Sequence, residues 1–294
     1  MSKIPVAPTP RFAQSIPRID VHHHYFPSDL KKEQSNVSVG WKTPPENLPW
    51  SPNISLQAMD AMKVDFSVLS FPAISSGCIS EESRVAARRR NELAAGFCRD
   101  HPDRFGFFAT LPFLEDVEGC LQEVKHSLDV LNAIGVSLSS SYGEGSTATY
   151  IGHEKYNPIW AELNSRHAIV FLHGSQVPSS TPYPDPCLGI PITEVPNETF
   201  KAAAHLVVTG NRRRYPDVKI ILSHLGGSTP FLAPRVAVLS NHMGCTLSPD
   251  EILDDFKTFY YETALSASDV TLKAIDNFVQ KDHILFGTDF PVKW

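Results

Sequence analysis

Apolar positions along the chain recur in two rhythms. Short runs dominated by hydrophobic residues, at 18–22, 65–70, 106–110, 134–139, 169–173, 219–223, 259–262 and 284–288, read as strands. Between them the spacing lengthens to the three-and-four rhythm of amphipathic helices, at 55–62, 80–101, 114–131, 156–165, 197–209, 229–238 and 270–279. One strand alternating with one helix from end to end is the signature of βα units around a parallel sheet. Eight such strands predict a (β/α)8 TIM barrel, an α/β fold whose active site lies among the loops at the strand C-termini. An open doubly wound sheet is disfavoured. No glycine-rich phosphate turn follows the first strand, where the residues are His22-His23-His24-Tyr25-Phe26-Pro27.

Two connections depart from this economy. Residues 27–54, with Trp41, Trp50 and five prolines, follow strand one, and the proline-rich residues 177–196 follow strand five. Both leave the catalytic face, so they are expected to be lids over a pocket, with Trp41 and Trp50 among its walls. The chain stops six residues after Thr288, at Trp294, with no helix after strand eight. The expectation is one barrel domain over 1–294 that lacks its last covering helix, as a truncated form would, with apolar surface exposed beside strands one and eight.

Composition narrows the class of protein. A chain of 294 residues that is 42% hydrophobic and 20% charged has material for a large core, and no segment is biased enough to suggest disorder. No apolar leader opens the sequence and no run is long enough to span a bilayer, so cytoplasmic residence without a membrane partner is expected. Cys78, Cys98, Cys120, Cys187 and Cys245 are odd in number and widely spaced, which predicts reduced thiols. A formal charge of −6 gives no footprint for nucleic acid, and Arg88-Arg89-Arg90 and Arg212-Arg213-Arg214 read as solvated helix faces.

The chemistry concentrates at strand ends. His22-His23-His24 closes the first run, and alternation along a strand makes His22 and His24 converge while His23 faces away. His173 ends strand five, His224 follows strand six and Asp289 follows strand eight. One rim would carry all five. Imidazoles with one carboxylate suit zinc or manganese. Asp20 is expected to buttress the first strand or a ligand, and His23 to be structural. Glu262, at the end of strand seven, reads as a pocket hydrogen-bonder or a structural group, and Ser175 lacks a nucleophile elbow.

The ordered set Ile19-Asp20-Val21-His22-His23-His24, Tyr156-Asn157-Pro158-Ile159-Trp160, Ser223-His224-Leu225-Gly226-Gly227 and Gly287-Thr288-Asp289 resembles the amidohydrolase superfamily. Within it the resemblance is to the decarboxylase branch that includes aminocarboxymuconate semialdehyde, γ-resorcylate and 5-carboxyvanillate decarboxylases, and it covers nearly the whole chain. It implies that His22, His24, His173 and Asp289 hold one divalent metal, zinc first and manganese as the alternative, beside His224 as catalytic acid/base. The bridging lysine of two-metal members is missing from strand four, Gly135-Val136-Ser137-Leu138-Ser139-Ser140-Ser141, so one ion is expected.

Arg235, eleven residues after His224, is implied to bind a substrate carboxylate, in some relatives across a subunit interface. Between Arg18 and Arg84 only lysines occur, unlike the semialdehyde enzyme, so a second carboxylate is unprovided for. The His-His-His start and the segment Pro182-Tyr183-Pro184-Asp185-Pro186 are most similar to the fungal 6-methylsalicylate decarboxylase type. That resemblance implies nonoxidative loss of carbon dioxide from a small aromatic carboxylate, 6-methylsalicylate to m-cresol, by a homodimer of secondary metabolism. Asp289 would protonate the ring and His224 would orient the phenol or shuttle the proton; in a second version a metal-activated water acts on the substrate instead. A metal-dependent hydrolase of a lactone, ester or amide is the alternative, and an inactive metal-binding scaffold is a third reading.

Overall fold

The computed structural model describes residues 16–28, 30–176, 185 and 187–292. Eight strands form one sheet: β1 (Ile19–His24), β2 (Phe66–Ser70), β3 (Phe105–Thr110), β4 (Gly135–Ser139), β5 (Ile169–His173), β6 (Lys219–Leu222), β7 (Tyr260–Glu262) and β8 (Ile284–Leu285). They lie side by side in chain order, every neighbouring pair parallel. The circle closes between β1 and the segment after β8, where Val21 N donates to Phe286 O at 3.0 Å and Asp289 N to His22 O at 2.8 Å. This is the expected TIM barrel.

The helices are α1 (Lys32–Val39), α2 (Pro52–Met62), α3 (Glu81–Asp100), α4 (Val117–Asp129), α5 (Asn157–Ser165), α6 (Ile190–Val208), α7 (Asn211–Arg214), α8 (Thr229–Leu239), α9 (Pro249–Lys257) and α10 (Asp269–Asp276). No helix among the described residues is long and apolar enough to cross a membrane. Most of the core fills the layer between strands and helices, with Trp160, Tyr156, Phe107, Phe256 and Met59 fully enclosed. A smaller cluster of Val68, Phe108, Phe171 and Ile221 packs separately, and its Phe108 and Phe171 rings stack at 5.5 Å.

Several elements differ from the sequence expectation for identifiable reasons. β1 runs to His24 and carries a one-residue bulge between Asp20 and His23, so simple alternation holds for His22, His23 and His24 but not back to Asp20. β8 is two residues long because the Asp20 carboxylate captures Thr288, whose amide donates to Oδ1 at 3.0 Å and whose hydroxyl donates to Oδ2 at 2.6 Å. α6 starts at Ile190, with Pro191 in its first turn where a missing amide hydrogen costs nothing, and continues through Pro196. α9 was not anticipated, although Ser248 and Glu251 form a capping box around Pro249.

The arginine runs are solvated faces only in part: Arg89, Arg213 and Arg214 are exposed, while others turn toward the protein. Three consecutive helical residues sweep roughly 200°, so they do not all share one face. Arg88 pairs with the buried Glu123 at 2.9 Å, and the Arg90 guanidinium lies 4.2 Å from the Phe71 ring centre. Arg212 is buried, with hydrogen bonds to Thr258 Oγ1 and to the carbonyls of Tyr215 and Pro216.

Candidate metal centre and its cavity

Five predicted side chains meet at the barrel mouth. His22 and His24 come from β1, His173 from the end of β5, His224 from the turn after β6 and Asp289 from the loop after β8. Ring centres of His22 lie 4.8 Å from His24, 5.2 Å from His173 and 5.0 Å from His224. His22 also packs edge-on against Phe171 at 4.9 Å, so an aromatic layer supports the cluster. His224 and Asp289 both have left-handed backbone, φ 55° and 60°. Non-glycine residues hold that conformation only where surrounding contacts enforce it. Here His224 N donates to Glu262 Oε1 and Asp289 N donates to His22 O.

The hydrogen bonds around the rings decide which nitrogens face inward. Nδ1 of each histidine is turned toward an oxygen: His22 toward Glu262 Oε1 at 2.8 Å, His24 toward Ser70 O at 3.2 Å, His173 toward Gly174 O at 2.9 Å and His224 toward Ala264 O at 3.1 Å. The carboxylate and the carbonyls can only accept, and His24 Nδ1 also meets the Ser70 hydroxyl at 3.1 Å, so each Nδ1 carries a hydrogen and each Nε2 keeps a lone pair whenever its ring is neutral. Those lone pairs converge. His22 Nε2 stands 3.0 Å from His24 Nε2, and both are 3.2 Å from Asp289 Oδ1, a buried atom without a hydrogen-bond partner.

The potential metal-binding atoms of His22, His24 and His173 lie within 4.8 Å of one another, and so do those of His22, His224 and Asp289. Lone pairs aimed at one another repel unless a proton or a cation lies between them. A cation placed among them turns the repulsion into coordination, so this donor set fits a divalent metal of zinc or manganese type.

The titration of the cluster reports the same demand for positive charge. Burial alone would lower the His22 pKa, but the Glu262 and Asp289 carboxylates outweigh it and raise it to about 10. Burial lowers His24, and it lowers His173 well below the ordinary histidine value with help from the neighbouring imidazoles. Although burial opposes it, His22 holds the carboxyls of Asp289 and Glu262 below the usual carboxylate range.

Glu262 is a working part of the site. It is fully buried, orients His22 and accepts the backbone amides of His224 and Ala264. Gly287 makes room for it: a Cβ there would sit 2.2 Å from Glu262 Oε2 and 2.9 Å from His22 Cβ. Asp20 and His23 form the opposite face of β1, with His23 Nδ1 on Asp20 Oδ2 at 3.0 Å and His23 Nε2 on Ser55 Oγ at 2.9 Å. Ser175 is a buried structural serine, its amide donating to Ser140 Oγ.

A cavity of about 520 Å³ opens beside the cluster, with His24, His173, His224 and Asp289 in its wall. The opposing surfaces come from both long excursions: Val39 and Trp41 from the first, Pro191, Ile192, Val195 and Pro196 from the start of α6. Val39, Trp41, Ile190 and Val195 pack together, and Gly189 lies so close to Gly40 that a Cβ would meet its carbonyl oxygen at 2.3 Å. Trp50 is not a pocket wall. It is buried beside Tyr25 and Phe97 and donates Nε1 to Ser55 Oγ at 3.0 Å. Residues 177–184 and 186, including most of the Pro182-Tyr183-Pro184-Asp185-Pro186 segment, lie outside the described residues, as does Trp294.

Arg235 is not brought to this cavity; it is exposed on α8 and does not line the wall. Lys32, which sequence reasoning passed over, does line it. Only 8% of Lys32 is exposed, and burial lowers its ammonium to about 8, with the Asp289 carboxylate opposing the shift. A lysine inside a polar run carries no sign of such burial.

The chain is similar to known proteins over most of its length. Over 281 residues the chain is 39% identical to the 6-methylsalicylic acid decarboxylase of Penicillium expansum, covering 93% of this chain and 85% of that one. It is 37% identical over 284 residues to the 6-methylsalicylic acid decarboxylase of Aspergillus aculeatus, covering 93% and 84%. The crystal structure of a dihydroxybenzoic acid decarboxylase from Polaromonas, with bound manganese and the inhibitor 2-nitroresorcinol, superposes with a TM-score of 0.80 at 23% identity, over 95% of this chain and 87% of that one. The amidohydrolase family profile matches residues 19–293, from the first strand through the Asp289 loop, and the chain belongs to that family.

Proposed function

We propose that the chain is a metal-dependent, nonoxidative decarboxylase of a hydroxybenzoate-type acid, with 6-methylsalicylate to m-cresol as the reaction. The observation that carries this reading is the similarity to two 6-methylsalicylic acid decarboxylases over 93% of the chain. The convergent Nε2 atoms supply the chemistry it requires. His22, His24, His173 and Asp289 would hold one divalent ion, zinc first and manganese as the alternative. Bound there, it supplies Lewis acidity toward the substrate carboxylate and its adjacent phenolic oxygen.

The chain's own residues do the rest. The apolar wall of Val39, Ile192, Val195 and Pro196 receives the ring and keeps water from it. Asp289 lines the cavity; it takes up a proton relayed by His224 and places it on the ring carbon that bears the carboxylate. The carbon–carbon bond then breaks, its electron pair restores the aromatic ring and carbon dioxide leaves. His224, with Nδ1 committed to Ala264 O, presents Nε2 to the same space and orients the phenolic hydroxyl or returns a proton to Asp289. Arg235, exposed on α8 near the exposed Val238 and Leu239 at that helix's end, serves the cavity of a second copy in a homodimer.

The test is carbon dioxide release from 6-methylsalicylate by metal-free protein reconstituted separately with zinc and with manganese, with salicylate as the comparison. Release that depends on the metal is the expected result. Metal-loaded protein that releases none, and instead opens a lactone or cleaves an ester, would move the assignment to hydrolysis.

A further inference from the structure

Beyond the histidines, the cavity wall contains an unfinished polar surface. α1 turns Lys32, Asn36 and Val39 inward, the i, i+4 and i+7 positions of one helical face, and all three are buried and line the cavity. Among the described residues Lys32 is the one lysine or arginine in that wall. No described carboxylate forms an ion pair with it, and its ammonium rests 4.8 Å from the centre of the Phe26 ring. Asn36 gives its amide nitrogen to Thr43 Oγ1 at 2.7 Å, which leaves its Oδ1 buried without a partner. Trp41 Nε1 is likewise buried and unpartnered.

A buried ammonium is costly when, as here, the Asp289 charge acts on it without a hydrogen bond, and buried polar atoms without partners are rare. Three of them on one stretch of cavity wall mark a surface completed by a ligand. An anion that also carries a hydroxyl would complete it: negative charge compensates the buried ammonium and accepts from it and from the indole N–H, and the hydroxyl donates to Asn36 Oδ1.

We infer that Lys32 is the residue that recognises the substrate's carboxylate, pairing with it in the cavity beside the histidine cluster. This rests on the decarboxylase reading for the identity of the substrate but not for its charge. The first long excursion is then more than a cover, because it brings the recognising cation. It also supplies from within the chain what Arg235, outside the cavity, does not. A neutral lactone or ester would leave the ammonium uncompensated, so the wall selects for acids.

The experiment measures binding by calorimetry of salicylate and of its neutral isostere salicylamide to metal-loaded protein, in the parent chain, Lys32→Met, Lys32→Gln and Lys32→Arg. Loss of the charge should weaken salicylate by about 10- to 100-fold, the size of a charged hydrogen bond, and leave salicylamide within about twofold. Arginine should restore part of the preference. Two chemically different neutral replacements keep the test open if one of them folds poorly, and equal metal content in all proteins separates the effect from the metal centre. The inference fails if salicylate and salicylamide weaken together or if neither changes. Carbon dioxide release from 6-methylsalicylate, assayed in parallel, separates the two claims. A parent chain that binds salicylate through Lys32 yet releases nothing loses the decarboxylase reading alone, and one that releases carbon dioxide with Lys32-independent binding loses this inference alone.

Discussion

His22 and His23 are neighbours on one strand, both fully buried, and both turn Nδ1 toward a carboxylate: His22 to Glu262, His23 to Asp20. They differ in what meets the other nitrogen. His23 Nε2 faces Ser55 Oγ, a hydroxyl that also accepts the indole N–H of Trp50 and so has its own hydrogen to give. His22 Nε2 faces a second imidazole nitrogen and a carboxylate oxygen. Burial, residue type and tautomer are the same on the two faces of β1. What separates His22 from the structural His23, and supports proposing it as a ligand, is an Nε2 that converges with other acceptors instead of meeting a donor hydroxyl.

The strongest way to break that comparison is His22→Ala against His23→Ala. Replacing His22 should abolish metal retention and carbon dioxide release together, as should His173→Ala, measured by metal analysis and product assay. Full turnover by either would end its assignment as a ligand. Replacing His23 should leave the metal in place while costing about 2–4 kcal/mol of stability, because a buried ring is lost and Asp20 and Ser55 lose a partner. Denaturant unfolding beside metal analysis reads both quantities. An unstable His22→Ala protein that kept its metal, or a metal-free but stable His23→Ala protein, would invert the roles.

Glu262→Gln is the next smaller change. The shape is retained, but the carboxylate that orients His22 and strengthens it as a donor is gone, so metal affinity should fall about 10- to 100-fold with the fold intact. Competition with a chelator measures it. Unchanged affinity would reduce Glu262 to a backbone brace for His224 and Ala264.

The strand-end residues were legible because a barrel places every strand C-terminus at one mouth, so a histidine closing an apolar run has a known destination. His22, His24, His173, His224 and Asp289 were all found that way. α1 was not, and its own pattern explains why. Its buried face is Lys32, Asn36 and Val39, two polar residues and one apolar, so hydrophobic periodicity, which assumes that inward means apolar, is blind to it. Pro196 misled in the opposite direction, reading as a boundary when Pro191 already occupied the helix start. The inward arginines and the burial of Trp50 depend on tertiary packing, which the local pattern does not contain. Glu262 could have been weighted more heavily, since a carboxylate ending a buried strand must find a donor.

The smallest change tests the comparison most finely. Ser55→Ala removes the hydroxyl that joins Trp50 Nε1 and His23 Nε2, leaving a buried donor and a buried acceptor unpaired at a cost of about 1–3 kcal/mol. It also gives His23 the feature that distinguishes His22, a bare Nε2 lone pair on a ring whose Nδ1 is held by a carboxylate. Among the described residues no second imidazole stacks beside it, and its ring neighbour is Phe290 at 4.9 Å. The metal-to-chain ratio of this variant should therefore equal that of the parent while its unfolding midpoint falls. A second equivalent of metal would show that one exposed lone pair is enough; an unchanged ratio would show that the rim binds because its lone pairs meet.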